Sequence, residues 1–386
     1  MELDQKHYLE RQYPLIKIAA DSHIPNLEQK LLELFTAEYS LQYFEFDQLK
    51  SKDLMDMDAL LVRSTVQVNQ ELCDNSQIQF VGSATAGINH LDTQYLDNQR
   101  IAWAHAPGCN AASVTHYVMA AIGELIQEGL FNVRQSVGIV GYGSIGKKLY
   151  QLLAALNIQV YAHDPFLDDP LLVGLDQILA CDLITIHVPY STAGAHPTSK
   201  MINRSHQKIL KDKILINTSR GGVVCEALVL ESQELIYIAD VWQDEPTPSL
   251  DVINKAFIAT SHIAGYSIEG KMNGTATVVE ECGRLFKCLK DSRQEYRPAL
   301  DWPHSLENIV RDMHGHGFPI DLFNSELNLR LLSDSLKTLS KDNLANGFQS
   351  LRAQHPPRHD FNQFSFKNII ELDEELNQGF FQVIQR

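Results

Sequence analysis

Val137-Gly138-Ile139-Val140-Gly141-Tyr142-Gly143-Ser144-Ile145-Gly146 is the stretch that decides the fold of this chain. Val137–Val140 reads as a short buried strand. Gly141, Gly143 and Gly146 follow at the spacing GxGxxG, and a helical pattern runs from Ile145 to Leu156. Each glycine has its own reason: Gly141 permits the tight turn, Gly143 lets backbone approach a pyrophosphate, and Gly146 lets the helix pack close to the sheet. The helix N-terminus then faces the phosphates with unpaired N–H groups, which adds Ser144 and Ile145 to the candidate contacts. A further strand, Ile158–Tyr161, leads to Asp164, near the acidic position expected about 20 residues after the turn. A carboxylate there holds the adenosine ribose hydroxyls and repels a 2′-phosphate, so the expected cofactor is NAD rather than NADP. The plain alternative is a flexible glycine turn beside an unrelated loop Asp.

Working outward, short apolar runs alternate with helical patterns. Expected strands are Leu15–Ala19, Ala59–Val62, Phe80–Ala84 and Ile101–Ala104, then Leu183–His187, Ile214–Asn217, Ile236–Ala239 and Ile258–Thr260. Such alternation argues for parallel α/β architecture. Long helical stretches at Ala111–Leu130 and Ile268–Lys290 flank one complete α/β unit, which suggests one domain inserted into another. The expected division is a discontinuous substrate-binding domain (1–112 and 266–295), a dinucleotide-binding domain (113–265) and a smaller third module (296–386). That last region is punctuated by Pro298, Pro303, Pro319, Pro356 and Pro357 and is rich in His, yet too apolar over Leu322–Leu344 for a disordered tail.

With 386 residues, two or three domains each have enough chain for a real core. Acidic residues outnumber basic ones 48 to 32, a balance that argues against nucleic acid or anionic membrane as partners. The polar stretch Met1–Arg11 has no signal-like apolar core, and no apolar run reaches the roughly 18–20 residues that span a bilayer. Six scattered cysteines (Cys73, Cys109, Cys181, Cys225, Cys282, Cys288) without CxxC spacing suit a reducing compartment, so a cytoplasmic location and no metal site are expected.

Three strand ends carry ionisable groups: Arg220 after Ile214–Asn217, Glu245 after Ile236–Ala239 and His262 after Ile258–Thr260. Ligands of open α/β sheets bind at carboxyl ends of strands, so the three can converge. Hydride transfer from a 2-hydroxy acid needs a base for the hydroxyl proton, a cation for the carboxylate and a partner for the base. Imidazole titrates near neutral pH, guanidinium offers a planar fork of donors, and a nearby carboxylate supports imidazolium. The same residues also read as a helix-capping His, a structural ion-pair Arg and a solvated loop Glu.

The order GYGSIG, NTSRGG, ADVWQDEP and SHIAGYS resembles the D-2-hydroxyacid dehydrogenase family. Within it, LVRSTVQVN (61–69), FVGSATAGINHLD (80–92), APGCNAASVTHYV (106–118) and SHIAGYSIEGKMNGT (261–275) are similar to the erythronate-4-phosphate dehydrogenase branch. The resemblance covers roughly residues 15–290, and GFQSLRAQHPPRHDFNQF (347–364) looks like that branch's C-terminal dimerisation module. It implies a Rossmann-like doubly wound parallel sheet inserted into a flavodoxin-like α/β substrate domain, with a small C-terminal α+β dimerisation domain. It implies a homodimer and NAD-dependent oxidation of 4-phospho-D-erythronate to the 2-oxo acid in vitamin B6 biosynthesis. Catalytic roles carry over to Arg220, Glu245 and His262, the last as acid/base. Cofactor contacts carry over to Asp164, Thr218, Ser219, Arg220, Asp240 and Gly265, and substrate contacts to Ser64, Thr85 and Tyr266. Val188 stands where the branch has Thr, so a hydroxyl contact to the cofactor is absent and a backbone contact is left. For the substrate carboxylate, Arg220 and the amides of residues 84–87 are candidates; for its phosphate, Arg63, Ser64 and Lys271. Two other readings stand beside this one: a 3-phosphoglycerate type of dehydrogenase, and a non-catalytic NAD-sensing protein on the same scaffold.

Overall fold

The Val137–Val140 run forms strand β6, buried at every position, in a computed structural model that describes residues 15–45, 48–290, 300–366, 369 and 378–384. Met1–Arg11 and Pro298 lie outside the described residues. The chain divides into two compact units, one of residues 1–110 with 269–296, the other of residues 111–268 with 297–386.

The first unit carries five strands: β1 (Ile16–Asp21), β2 (Tyr39–Phe44), β3 (Ala59–Val62), β4 (Phe80–Ser83) and β5 (Ala102–His105). They pair in parallel in the order β2-β1-β3-β4-β5, the flavodoxin-like order. β3 and β4 are buried throughout because both faces are covered, as parallel sheets require. Leu27 and Leu31 of one helix and Val278, Val279 and Cys282 of another close one face, while Leu54, Val68, Leu96 and Ile101 close the other. The second of those helices lies hard against the end of β4, for a Cβ on Gly274 would meet the Ala84 carbonyl oxygen at 2.4 Å. Strand β2 was not expected from the sequence. It is an edge strand with half-wet alternation (Tyr-Ser-Leu-Gln-Tyr-Phe), so it lacks the continuous apolar run that marks its neighbours.

The second unit holds β6, β7 (Val160–His163), β8 (Leu183–Ile186), β9 (Ile214–Asn217), β10 (Ile236–Ala239) and β11 (Ile258–Ala259). All pair in parallel, in the order β11-β10-β9-β8-β6-β7. The chain leaves β6 for β7 on one side and returns to β8 on the other, so the switch point falls where the glycine turn emerges. β7 begins two residues later than expected. Asn157 takes a left-handed φ of 58° at the end of the preceding helix, and Ile158 is buried in the turn before the strand starts.

Residues after 300 add short helices and a two-stranded parallel pair, β12 (Leu300–Asp301) with β13 (Phe364–Ser365). Phe318, Phe323, Phe361 and Phe380 pack in one cluster with Tyr117 and Ile122 of helix Ala111–Gln127 and with Leu149 of the helix after the glycine turn. The short edge strand β11 is covered from the same segment, where the Ser333 hydroxyl accepts the Ala259 N–H at 3.0 Å.

Each unit contains a buried imidazole. His116, whose Nε2 meets the Phe323 carbonyl at 2.9 Å, is pushed from 6.5 to about 3, first by burial and then by the Arg358 charge. His90, bonded to Ser83 at 2.8 Å, is pushed to about 4, first by burial and then by His105. Below 6.5 the unfolded chain therefore binds protons that the native chain refuses, so these groups make stability fall as pH falls. The melting temperature is expected to drop between about pH 7.5 and about pH 5, each imidazole contributing up to about 1.4 kcal/mol per pH unit. Thermal denaturation followed by circular dichroism checks it, and His116→Gln should flatten the slope; a level profile in the parent chain contradicts the account.

Candidate active site

Arg220, Glu245 and His262 leave the carboxyl ends of three adjacent strands, β9, β10 and β11. The His262 Nδ1 lies 2.7 Å from Oε2 of Glu245. The other oxygen, Oε1, accepts the Trp242 N–H at 2.9 Å, so the carboxylate is fixed at both ends. Burial pushes the Glu245 carboxyl up, but the His262 hydrogen bond and charge, the Trp242 N–H and the Arg352 charge outweigh it and hold it below the usual value. An ionised acceptor fixes the tautomer: Nδ1 carries the proton, and Nε2 is left as the basic nitrogen. Both side chains keep some exposure, 33% for His262 and 20% for Glu245, which leaves the imidazole reachable.

The backbone around His262 is held in place from several sides. Its φ of 60° lies in the left-handed region, which a non-glycine residue adopts only when its surroundings enforce it. Asp240, 1% exposed, provides that enforcement. Its Oδ1 accepts the Ile263 N–H at 2.7 Å and the Thr260 hydroxyl at 2.7 Å, and its Oδ2 accepts the Ala264 N–H at 2.9 Å. Thr260 is pinned in turn by the Tyr117 hydroxyl at 2.7 Å, and its carbonyl accepts the Trp242 indole N–H at 2.8 Å. From the far end of the chain, the buried Arg358 guanidinium donates to the Ala264 carbonyl at 3.0 Å.

Arg220 is half-buried, and its Nη1 donates to the Ser219 carbonyl at 2.7 Å. Burial lowers its pKa and the Glu245 charge partly opposes this. Among the described residues it forms no ion pair with a carboxylate, so its positive charge is available to an anion. A Cβ on Gly221 would sit 1.8 Å from the Trp242 carbonyl oxygen, so glycine is what lets the Arg220 loop lie against the Glu245 loop.

The glycine turn fits a dinucleotide. Gly141 has a φ of 94°, and a Cβ there would meet the His187 carbonyl at 2.3 Å; one on Gly146 would meet the Gly141 carbonyl at 2.0 Å. At Gly143, by contrast, nothing lies within 4 Å of a built Cβ, which leaves an open cradle at the start of helix Ser144–Ala155, beside exposed Ser144 and half-buried Ile145. Asp164, past β7, is oriented by N–H groups of Tyr142 (3.0 Å) and Phe166 (3.1 Å). Thr218 and Ser219 are nearly buried and engaged inside the protein: the Thr218 hydroxyl meets His187 Nδ1 at 3.2 Å, and the Ser219 hydroxyl donates to Asn217 at 2.8 Å. Val188 and Gly265 are half-buried beside these groups in sequence.

The remaining substrate candidates are spread over both units. In the first, Arg63 grips the buried Asp21 carboxylate through Nε (3.0 Å) and Nη2 (3.3 Å). Ser64 is exposed. Burial lowers the Lys271 pKa, and so does the nearby Arg63 charge, which puts two cations in one neighbourhood. The Thr85 hydroxyl lies 2.9 Å from Ser83, itself bonded to His90. In the second unit, Tyr266 accepts a hydrogen bond at its hydroxyl from Arg352 Nη2 at 3.2 Å. Neither Arg352 nor Arg358 was singled out from the sequence. Both lie in the 347–364 stretch set aside for dimerisation, and no local pattern separates a site arginine from a surface one.

Asp240→Asn keeps the side-chain size and removes the charge that three donors share. It is expected to destabilise the chain by about 2–3 kcal/mol in urea unfolding. A change under about 0.5 kcal/mol would show that the loop holds its shape without that carboxylate.

Residues 127–264 match the NAD binding domain of the D-isomer specific 2-hydroxyacid dehydrogenases. The chain is 36% identical over 371 residues, 91% of its own length and 95% of the relative's, to an erythronate-4-phosphate dehydrogenase of Pseudoalteromonas translucida. It is 40% identical to one of Proteus mirabilis, over 69% of this chain and 72% of that one. Among solved structures, the NAD+-bound 3-phosphoglycerate dehydrogenase of Entamoeba histolytica aligns with a TM-score of 0.60 at 20% identity, covering 70% of this chain and 95% of that one, a likeness of fold alone. The chain belongs to the erythronate-4-phosphate dehydrogenase family of D-2-hydroxyacid dehydrogenases.

Proposed function

We propose that this member of the erythronate-4-phosphate dehydrogenase family oxidises 4-phospho-D-erythronate to (R)-3-hydroxy-2-oxo-4-phosphooxybutanoate, an NAD-dependent step on the way to pyridoxal 5′-phosphate. The observation that carries the reading is the 2.7 Å contact between His262 and Glu245, with Arg220, free of any ion pair among the described residues, at the neighbouring strand end.

NAD, when bound, supplies the hydride acceptor. Gly141, Gly143, Ser144, Ile145 and Gly146 would hold its pyrophosphate, Asp164 its ribose, and Val188, Thr218, Ser219, Arg220 and Gly265 the rest. Asp240 is a further cofactor contact in this reading, and it also anchors the loop that carries His262. The catalytic work of the protein is then proton and charge management. Arg220 holds the substrate carboxylate with its planar fork. His262 takes the C2 hydroxyl proton at Nε2 and becomes imidazolium. Glu245, already ionised, stabilises that charge across the Nδ1 contact. Ser64, Thr85 and Tyr266 bond the substrate's oxygens, and Arg63, Ser64 and Lys271 are the candidate phosphate contacts of the first unit.

The reading extends to a homodimer formed through residues 296–386, with residues 1–112 and 266–295 as the substrate domain and 113–265 as the cofactor domain. It also includes a cytoplasmic location, which is supported by six cysteines that are all free thiols. No described helix is long and apolar enough to cross a membrane.

The test is reduced-nicotinamide absorbance with 4-phospho-D-erythronate, repeated with a 2-oxo acid present so that a cofactor that stays bound is reoxidised. Turnover with this substrate is expected, and its absence in both arms sinks the reading. His262→Ala is expected to lower kcat roughly 100- to 10,000-fold while NADH binding, followed by fluorescence, is retained. A variant that keeps most of its turnover would remove the imidazole from the mechanism.

A further inference from the structure

Arg352 sits on helix Leu344–Ala353 and reaches the active-site cluster of its own unit. Its Nη2 donates to the Tyr266 hydroxyl at 3.2 Å, and its guanidinium carbon lies 5.8 Å from the centre of the Tyr266 ring. On the same ring, His355 stacks edge-on with centroids 6.2 Å apart. The Arg352 charge also reaches Glu245, the carboxylate that grips His262.

Two features of this arginine are unexplained by the fold. Its Nε is buried and meets no hydrogen-bond acceptor, and among the described residues no carboxylate pairs with it. An orphaned buried donor on a charged group is costly, and an anion that reaches it offsets that cost. Charge accounting points the same way. The two carboxylates beside His262 are both taken up elsewhere, Glu245 by His262 and the Trp242 N–H and Asp240 by Thr260, Ile263 and Ala264, so among the described residues neither pairs with Arg220 or Arg352. Two guanidinium groups without a carboxylate partner among the described residues suit a ligand with two anionic ends. In the first unit, Arg63 already commits two of its N–H groups to Asp21, which leaves it fewer donors for the same task.

We propose that Arg352 is a substrate-binding residue that takes the phosphate end of the phosphorylated hydroxy acid, while Arg220 holds the carboxylate end. The inference rests on the function proposed above and deepens it. Tyr266 acts as the fulcrum: its hydroxyl and ring aim the guanidinium, and Nε with the remaining Nη donors present a fork to the phosphate oxygens.

The test compares kcat/KM for 4-phospho-D-erythronate with kcat/KM for unphosphorylated D-erythronate in the parent chain, Arg352→Gln and Arg352→Lys. The expected result is a ratio that falls roughly 10- to 100-fold in Arg352→Gln and is partly restored in Arg352→Lys. A ratio that stays at the parent value while both substrates lose equally would overturn the proposal and leave Arg352 as a prop for Tyr266. If the parent chain oxidises neither acid, the function reading fails by itself. Arg352 is then judged by calorimetry with 4-phospho-D-erythronate, where Arg352→Gln must weaken binding by the same factor for the proposal to stand.

Discussion

The buried carboxylate of Asp240 is the constraint on which the candidate site depends. It accepts two consecutive backbone N–H groups and one hydroxyl, and so fixes the turn that aims His262. A left-handed residue between a two-residue strand and a helix has no secondary structure of its own to hold it. Charge-assisted hydrogen bonds in a dry environment supply that rigidity where packing cannot. Once the turn is set, the imidazole meets Glu245 without any further adjustment, and the Trp242 amide holds the far oxygen of the same carboxylate.

The same logic of backbone contacts recurs at the glycines. Gly141, Gly146 and Gly221 each stand where another carbonyl oxygen occupies the volume of a Cβ. They are packing devices first, bringing the turn to β8 and the Arg220 loop to the Glu245 loop. Gly143 differs, because the space above it is open. One motif thus contains both kinds of glycine, two that close the scaffold and one that leaves room for a ligand.

How much of this was legible in the sequence follows from the range of each interaction. The glycine turn, Asp164 and the three strand-end residues are written in short local patterns; the strand order sets the first two past β6 and β7 and the other three past β9, β10 and β11, with β8 between the groups. β2 was missed because an edge strand shows only alternate apolar residues, and β7 was misplaced because a left-handed Asn157 delays its start. Asp240 is legible in the sequence only as a cofactor contact carried over from the family. Its service to the loop depends on amides more than 20 residues on, which no local pattern announces. Arg352 and Arg358 are further still, brought in by a segment whose composition suggests only a compact module.

Arg358 has a temporal meaning as well. Its guanidinium closes on the Ala264 carbonyl while its own carbonyl accepts the Ile268 N–H, so the last part of the chain clasps the stretch on both sides of Tyr266. A ribosome that has released residues only as far as Leu289 has already delivered His262, Glu245 and the glycine turn. The clasp lies 94 residues beyond Ala264 and comes later. The stretch around Tyr266 is therefore clasped only after every strand of both large sheets has been made.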